Sequence, residues 1–213
     1  MSATSARRSG SRLAPLNLDY MGRDISLMIW GMVIWDIGLG LYMNVWPIYV
    51  ERLGASPTVI GVVIGLQAVA RLSAMLPSGI LADRFDRRRV MWIGTAASVP
   101  AAVIFGLAQT WWQILPGLIF WALTNLTIAS ISSYIAEAAP ARERARAFSL
   151  VYTVGPACAF IIGPILGGWL GERWGIRLLL FLAAGLFAIS TWVFSLLSTR
   201  PLKTHHGHEP ATY

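Results

Sequence analysis

The chain of 213 residues is 56% hydrophobic and only 13% charged, with a mean hydropathy of +0.61. Soluble domains average about 25% charged residues, so this chain has too few charges to coat the core its length could build. So apolar a chain is not disordered, and the single cysteine, Cys158, excludes a disulfide scaffold and a CxxC-type metal site. The formal charge of +7 does not indicate nucleic acid, because the basic residues cluster in short segments between long apolar runs. The composition is that of a polytopic all-α membrane protein whose surroundings are lipid.

Residues 1–24 carry Arg7, Arg8, Arg12 and Arg23 among Ser, Ala and Pro. No apolar core of a signal peptide is present there, so the segment reads as a flexible basic arm. Six stretches then reach the roughly 20 apolar residues needed to cross a bilayer. They are 25–50, 58–82, 90–108, 112–136, 147–170 and 176–197. Together they make one transmembrane unit over 25–197, followed by a polar tail, 198–213, that reads as disordered.

The first span holds Asp36, with Asn44 two turns further on, and the second holds Arg71, with Gln67 one turn before it on the same face. An unpaired charge at mid-bilayer costs about 2.5–3.5 kcal/mol on insertion scales. Asp36 lies eleven residues beyond Ile25, and Arg71 lies eleven residues before Ala82 on the returning helix. Both are therefore about 16 Å from the same edge, and the sequence predicts that they face the interior, paired or water-bridged. Such a pair is a substrate or proton site, with Asp36 changing protonation, or a static clamp between the helices.

The second loop reads Gly79-Ile-Leu-Ala-Asp83-Arg84-Phe-Asp86-Arg87-Arg88-Arg89. Asp83 sits at a helix C-terminus, where the macrodipole disfavours an anion. It therefore needs an arginine or another helix N-terminus as partner, and Arg87 is expected to reach Glu137 at the same end of the fourth span. In that span Thr124, Thr127 and Tyr134 share a face, with Asn125 beside it. Thr124, Asn125 and Tyr134 are candidates for a polar lining, whereas Thr127 and Ser130 are expected to bond locally or glue helices. The fifth span carries Gly155, Ala159, Gly163 and Gly167, a small residue every four, with Gly168 beside them. This stripe admits another helix closely, and Gly61 and Gly65 open a shorter version in span two. Pro156 and Pro164, with Pro77 in span two, offer places to bend. Trp46, Trp111, Trp112, Trp169 and Trp174 fall near span ends, as an aromatic belt would.

Thirteen of the seventeen Lys and Arg residues fall in the N-terminal arm, the second and fourth loops and the tail. The opposite side has Arg52, Arg173 and Arg177. By the positive-inside rule both termini are cytoplasmic, in a cell membrane. No phosphate loop of the GxxxxGK[ST] kind occurs, and all three histidines (His205, His206 and His208) lie in the tail. ATP hydrolysis and intramembrane serine proteolysis are thereby disfavoured, and no metal or other cofactor is implied.

The second loop resembles the cytoplasmic signature of the major facilitator superfamily, G-x-x-x-D-R-x-G-R-[RK], between its second and third helices. Gly79, Asp83, Arg84, Arg87 and Arg88 match in type and spacing, and Asp86 stands where the family has glycine. Gly163-Pro164-Ile-Leu-Gly167-Gly168 is similar to the family's GPxxGG, and residues 137–148 resemble its link from fourth to fifth helix. Ala159 replaces a glycine of the longer antiporter motif, and span four lacks the arginine common in proton-coupled drug exporters.

The resemblance implies a six-helix bundle of two inverted three-helix repeats, and a cavity lined by helices one, two, four and five. It also implies a gate in which Asp83 and its neighbours lock one conformation against a second bundle. Secondary transport of a small solute by alternating access follows. Because the family has twelve helices, this chain reads as the N-terminal half. It is then a truncated product, the partner of a separate second half, or a homodimer built from parallel copies. The rival reading is a non-transporting subunit or a degenerate remnant.

Overall fold

The structure is a computed structural model that describes residues 22–198; the side chains of residues 75–84 and of Cys158 lie outside that description. The N-terminal arm, the histidine tail and the side chains of Asp83 and Arg84 are thus outside the described residues. The helices are α1 (Arg23–Met43), α2 (Trp46–Arg52), α3 (Pro57–Arg84), α4 (Arg87–Leu107), α5 (Leu115–Thr124), α6 (Thr127–Ala138), α7 (Arg144–Ser149), α8 (Gly155–Trp174) and α9 (Ile176–Ser195). Among the described residues six helical segments are long and apolar enough to cross a membrane. A helix satisfies its own backbone, which is why apolar runs of this length take that form in lipid.

Three of the six spans differ from the simple rods expected. The first ends at Met43, and Asn44 and Val45 turn the chain into the separate helix α2. Pro47, in the first turn of α2, has no N–H to continue the ladder from α1. The fourth runs as a 3₁₀ turn (Trp111–Ile114), α5 and α6, and is interrupted at Asn125 and Leu126. There the backbone tightens into i→i+3 bonds: Asn125 N–H donates to the Ala122 carbonyl and Leu126 N–H to that of Leu123, both at 3.1 Å. In the fifth, five residues of π-helix (Leu150–Val154) join α7 to α8. The irregularity therefore precedes Pro156, and the chain remains helical through Pro164.

Helix α1 is the hub, and each of its faces has a different partner. Gly31 and Gly38 receive Phe194 and Phe187 of α9, and the Ser190 hydroxyl donates to the Gly31 carbonyl at 2.7 Å. Gly40 meets α8: a Cβ on Gly163 would lie 2.5–2.7 Å from the Gly40 backbone. One on Gly167 would strike the Leu41 carbonyl, and one on Gly40 the Ala159 carbonyl. The small-residue stripe of span five is thus the surface on which α1 lies. Gly168 falls off this stripe, because nothing lies within 4 Å of a Cβ built there, and the same holds for Gly61 and Gly65.

Two buried clusters divide the interior. One gathers Tyr42, Trp46, Tyr49, Phe105, Ile114, Leu179 and Phe187; the other gathers Ile25, Met28, Met91, Ile131, Tyr134, Ile135 and Phe194. Trp46 is only 7% exposed, so it belongs to the core and not to an aromatic belt, whereas Trp112, Trp169 and Trp174 are exposed. The reason is that Trp46 opens α2, which folds inward so that its indole packs 4.7 Å from the Phe105 ring.

Gly163→Ala should lower the unfolding temperature of the detergent-solubilised protein, at a cost of about 1–3 kcal/mol typical of overpacking. Gly168→Ala should leave it unchanged, since its Cβ meets open space.

Candidate functional site

On α1, residues Met32, Trp35, Leu39, Tyr42 and Met43 recur at helical spacing and form one wall of a cavity of about 460 Å³. Ile64, Gln67, Ala68 and Arg71 of α3 form the opposite wall, and Gln67 and Arg71 share that face as their i, i+4 spacing requires. The fourth span contributes Trp121, Thr124, Asn125, Thr127, Ile128 and Ile131, and the π segment contributes Tyr152. The cavity therefore lies among the first, second, fourth and fifth spans, with Thr95 and Phe105 of α4 also reaching it.

Much of its lining is aromatic. Trp35 and Trp121 stack with centroids 5.8 Å apart and planes 13° from parallel. Tyr42 meets Trp121 edge-on, and Phe187 packs beneath both indoles. The Trp35 indole N–H donates to the Ser98 hydroxyl at 3.2 Å, which fixes the ring plane. These tryptophans and tyrosines had no signal in motif spacing. Their signal is the i, i+3, i+4 recurrence of Trp35, Leu39 and Tyr42 on the helix that also bears Asp36.

The interruption in span four is built from its own polar side chains. The Thr124 hydroxyl donates to the Trp121 carbonyl at 2.6 Å, the Asn125 amide to Ala122 at 3.1 Å, and the Thr127 hydroxyl to the Thr124 carbonyl. Local acceptance of this kind competes with the i→i−4 ladder and bends helices. Thr127 thus bonds locally, as expected, although it also touches the cavity. Ser130 is fully buried and its hydroxyl has no hydrogen-bond partner among the described residues. In the fifth span the Tyr152 hydroxyl lies 2.8 Å from that of Ser132 and 3.3 Å from the Ile128 carbonyl, joining the π segment to α6.

Asp36 and Arg71 are not partners. Among the described residues no ion pair joins them, and only Arg71 lines the cavity. Asp36 is 6% exposed and turned toward α8, where its Oδ2 lies 2.7 Å from the position of a Cβ on Gly155. Equal depth fixed their height but not their direction: one residue along a helix turns a side chain by about 100°. Trp35 thereby takes the cavity face and Asp36 the helix-packing face. Gly155 leaves the room in which the carboxylate sits, and Asp36 Oδ2 has no hydrogen-bond partner among the described residues.

Two further lining candidates lie elsewhere. Asn44 caps the end of α1, is exposed, and does not line the cavity. Tyr134 is buried in the second cluster, within electrostatic reach of Asp24, Asp86 and Arg88 near the basic end of the bundle. It lies two turns beyond Thr127 on α6, where it shares a buried cluster with Ile25 and Met28.

At the basic end, Arg87 forms a salt bridge with Glu137, joining the start of α4 to the end of α6. Arg88 donates to the Ser195 carbonyl of α9, and Asp24 of α1 accepts from the Ser198 hydroxyl at 3.1 Å. Asp86 is the N-cap of α4: its backbone has φ −56°, and its carboxylate accepts the Arg88 N–H at 3.1 Å. No left-handed turn is needed at this position. The residue that stands where the family has glycine instead satisfies an open helix end.

A bundle with this cavity and this basic loop has matches among known proteins. The family model described as Major Facilitator Superfamily matches residues 18–212. An uncharacterized MFS-type transporter of Methanocaldococcus jannaschii is 28% identical over 143 residues, 67% of this chain and 37% of the relative. Tetracycline resistance protein, class H, of Pasteurella multocida is 28% identical over 158 residues, covering 71% and 38%. Multidrug resistance protein 1 of Bacillus subtilis is 26% identical over 177 residues, covering 83% and 45%. The chain thus spans less than half the length of these relatives. With six apolar helices, the loop motif and a family match over nearly all of its length, this multi-pass membrane chain belongs to the Major Facilitator Superfamily.

Proposed function

We propose that the chain is the N-terminal half of a secondary transporter that moves a small solute by alternating access. In this reading it resides in the plasma membrane with both ends cytoplasmic, and works with a second six-helix half or a second copy of itself. The observation that carries the reading is the cavity: about 460 Å³ within a membrane bundle, a volume suited to a small organic molecule. Its polar groups (Arg71, Gln67, Thr124 and Asn125) sit among aromatic walls, as in a site that orients a ligand by a few contacts. Membership in a transporter family supports transport, and two of the relatives are resistance proteins. Ala159 departs from the antiporter glycine motif, but the site of that departure packs against α1 and leaves the cavity untouched.

Asp36 is the coupling group in this proposal. A buried carboxylate at a helix crossing is neutral in one packing arrangement and charged in another, so a change in the α1–α8 contact exchanges a proton. Arg87 and Glu137 hold the cytoplasmic end together while the cavity faces one side.

Counterflow in proteoliposomes tests the reading. Vesicles bearing the full chain and preloaded with aromatic anions, cations or neutral solutes should accumulate the labelled solute faster than protein-free vesicles for at least one class. Failure with all classes overturns the form in which two copies of this chain suffice, and leaves a chain that needs a separate second half or does not transport. Asp36→Asn should abolish pH-dependent exchange while insertion and fold persist, and unchanged pH-dependent exchange would remove Asp36 from the coupling. Arg87→Glu should slow exchange several-fold, and adding Glu137→Arg should recover most of the loss. Because the pair is partly exposed, stability should change by no more than about 1 kcal/mol in either variant.

A further inference from the structure

We propose that the cavity selects amphiphilic organic anions, in which an aromatic body carries one carboxylate or sulfonate. The inference rests on the cavity being the solute site argued above, and adds the chemistry of its occupant. Its starting point is the distribution of charge. Among the described residues Arg71 is the one charged side chain that lines the cavity. Among the described residues no ion pair or hydrogen bond engages it.

The acids of the described residues all lie elsewhere. Asp24, Asp86 and Glu137 are bound up in contacts at the basic end, and Glu143 is paired with Arg146. Glu51 and Glu172 lie near the opposite ends of their helices. Asp36, the nearest in depth, is turned to Gly155 and separated from the cavity by the α1 backbone. The separation of Asp36 from Arg71 therefore leaves an exposed guanidinium without a counterion among the described residues, at the edge of a cleft with largely apolar walls that focus its field. A guanidinium also offers paired N–H donors that match a carboxylate or sulfonate.

The aromatic wall sets the rest of the ligand. Aromatic faces attract cations at contact, but here the two largest are spent on each other in the Trp35–Trp121 stack. Tyr42 presents its edge to Trp121 and the Trp35 N–H is held by Ser98. The arrangement is an apolar wall of mutually engaged rings and not a cation cage. The ligand's apolar body lies against this wall, with its anionic group toward Arg71 one helix away.

Binding to the full chain in nanodiscs of zwitterionic lipid tests this with three probes that share one ring system: 1-naphthoate, 1-naphthylmethanol and 1-naphthylmethylammonium. Naphthoate should bind at least tenfold more tightly than either of the others, and lose affinity as salt rises. Arg71→Gln should reduce naphthoate to the affinity of the alcohol while alcohol binding is retained, which also reports an intact fold. Arg71→Lys should keep most of the preference. Equal or tighter binding of the ammonium probe overturns the inference, as does an anion preference unaffected by Arg71→Gln. The ranking on the unmodified chain decides the matter even where a variant does not fold. Alcohol binding without anion preference overturns the anion assignment and leaves the transport reading standing. If none of the three probes binds, the cavity is not a solute site and both fall.

Discussion

The backbone contact between α1 and α8 fixes where everything else in the bundle can be. At Gly40 and Gly163 the two helices approach so closely that neither position has room for a methyl group. In lipid, such contacts are held by van der Waals packing and by Cα–H···O contacts, because the hydrophobic effect does not distinguish a helix neighbour from an acyl chain. The crossing sets the rotation of α1 about its axis. Once Gly40 faces α8, Gly31 and Gly38 face the phenylalanines of α9, and Trp35, Leu39 and Tyr42 are left to face the cavity. One contact therefore decides both what is buried and what lines the cavity.

The same constraint explains why the helices of the cavity are irregular where they are. Nonhelical backbone is expensive in hydrocarbon unless its polar groups find partners. At Asn125 the Thr124, Asn125 and Thr127 side chains supply hydrogen bonds beside a tightened turn. In the fifth span a π segment places Tyr152 against Ser132 and Ile128, so the bulge is tied to the neighbouring helix. Short π segments frequently mark functional positions. Here the segment ends at Val154, one residue before Gly155, over which the Asp36 carboxylate lies.

How far the sequence revealed this arrangement depends on which physical variable each feature obeys. Spans obey hydropathy and length, so all six were legible, and the stripe at Gly155, Ala159, Gly163 and Gly167 announced a close helix partner. The Arg87–Glu137 contact was legible from helix ends and loop length. Depth was legible for Asp36 and Arg71, but azimuth depends on the α1–α8 crossing, which spacing within one helix does not contain. Hence the direct ion pair allowed by equal depth does not form among the described residues, whereas Arg71 and Gln67 do line the cavity from a common face. Trp46 resembled a belt residue because it stands at a span end, and only the break at Asn44 shows that the chain turns inward there. Gly61, Gly65 and Gly168 are small residues of the same kind as Gly163, but their neighbours within this chain leave them open space.

The separation of the acid from the base has a mechanistic consequence that a pair would not have. Had Asp36 and Arg71 met in the cavity, each would have neutralised the other, and a solute would have had to break a salt bridge in order to bind. With Asp36 on the packing face and Arg71 on the cavity face, the proposed transporter would expose its two ionisable groups to different events. The guanidinium would respond to what enters the cavity, and the carboxyl to how α1 lies on α8. A helix carrying one group on each face can connect those events: displacement of Trp35 by a solute shifts the same rod whose other side holds the Asp36 carboxylate over Gly155. Coupling between solute and proton in this bundle would then travel through the rotation of α1 and would need no direct contact between the two charged groups.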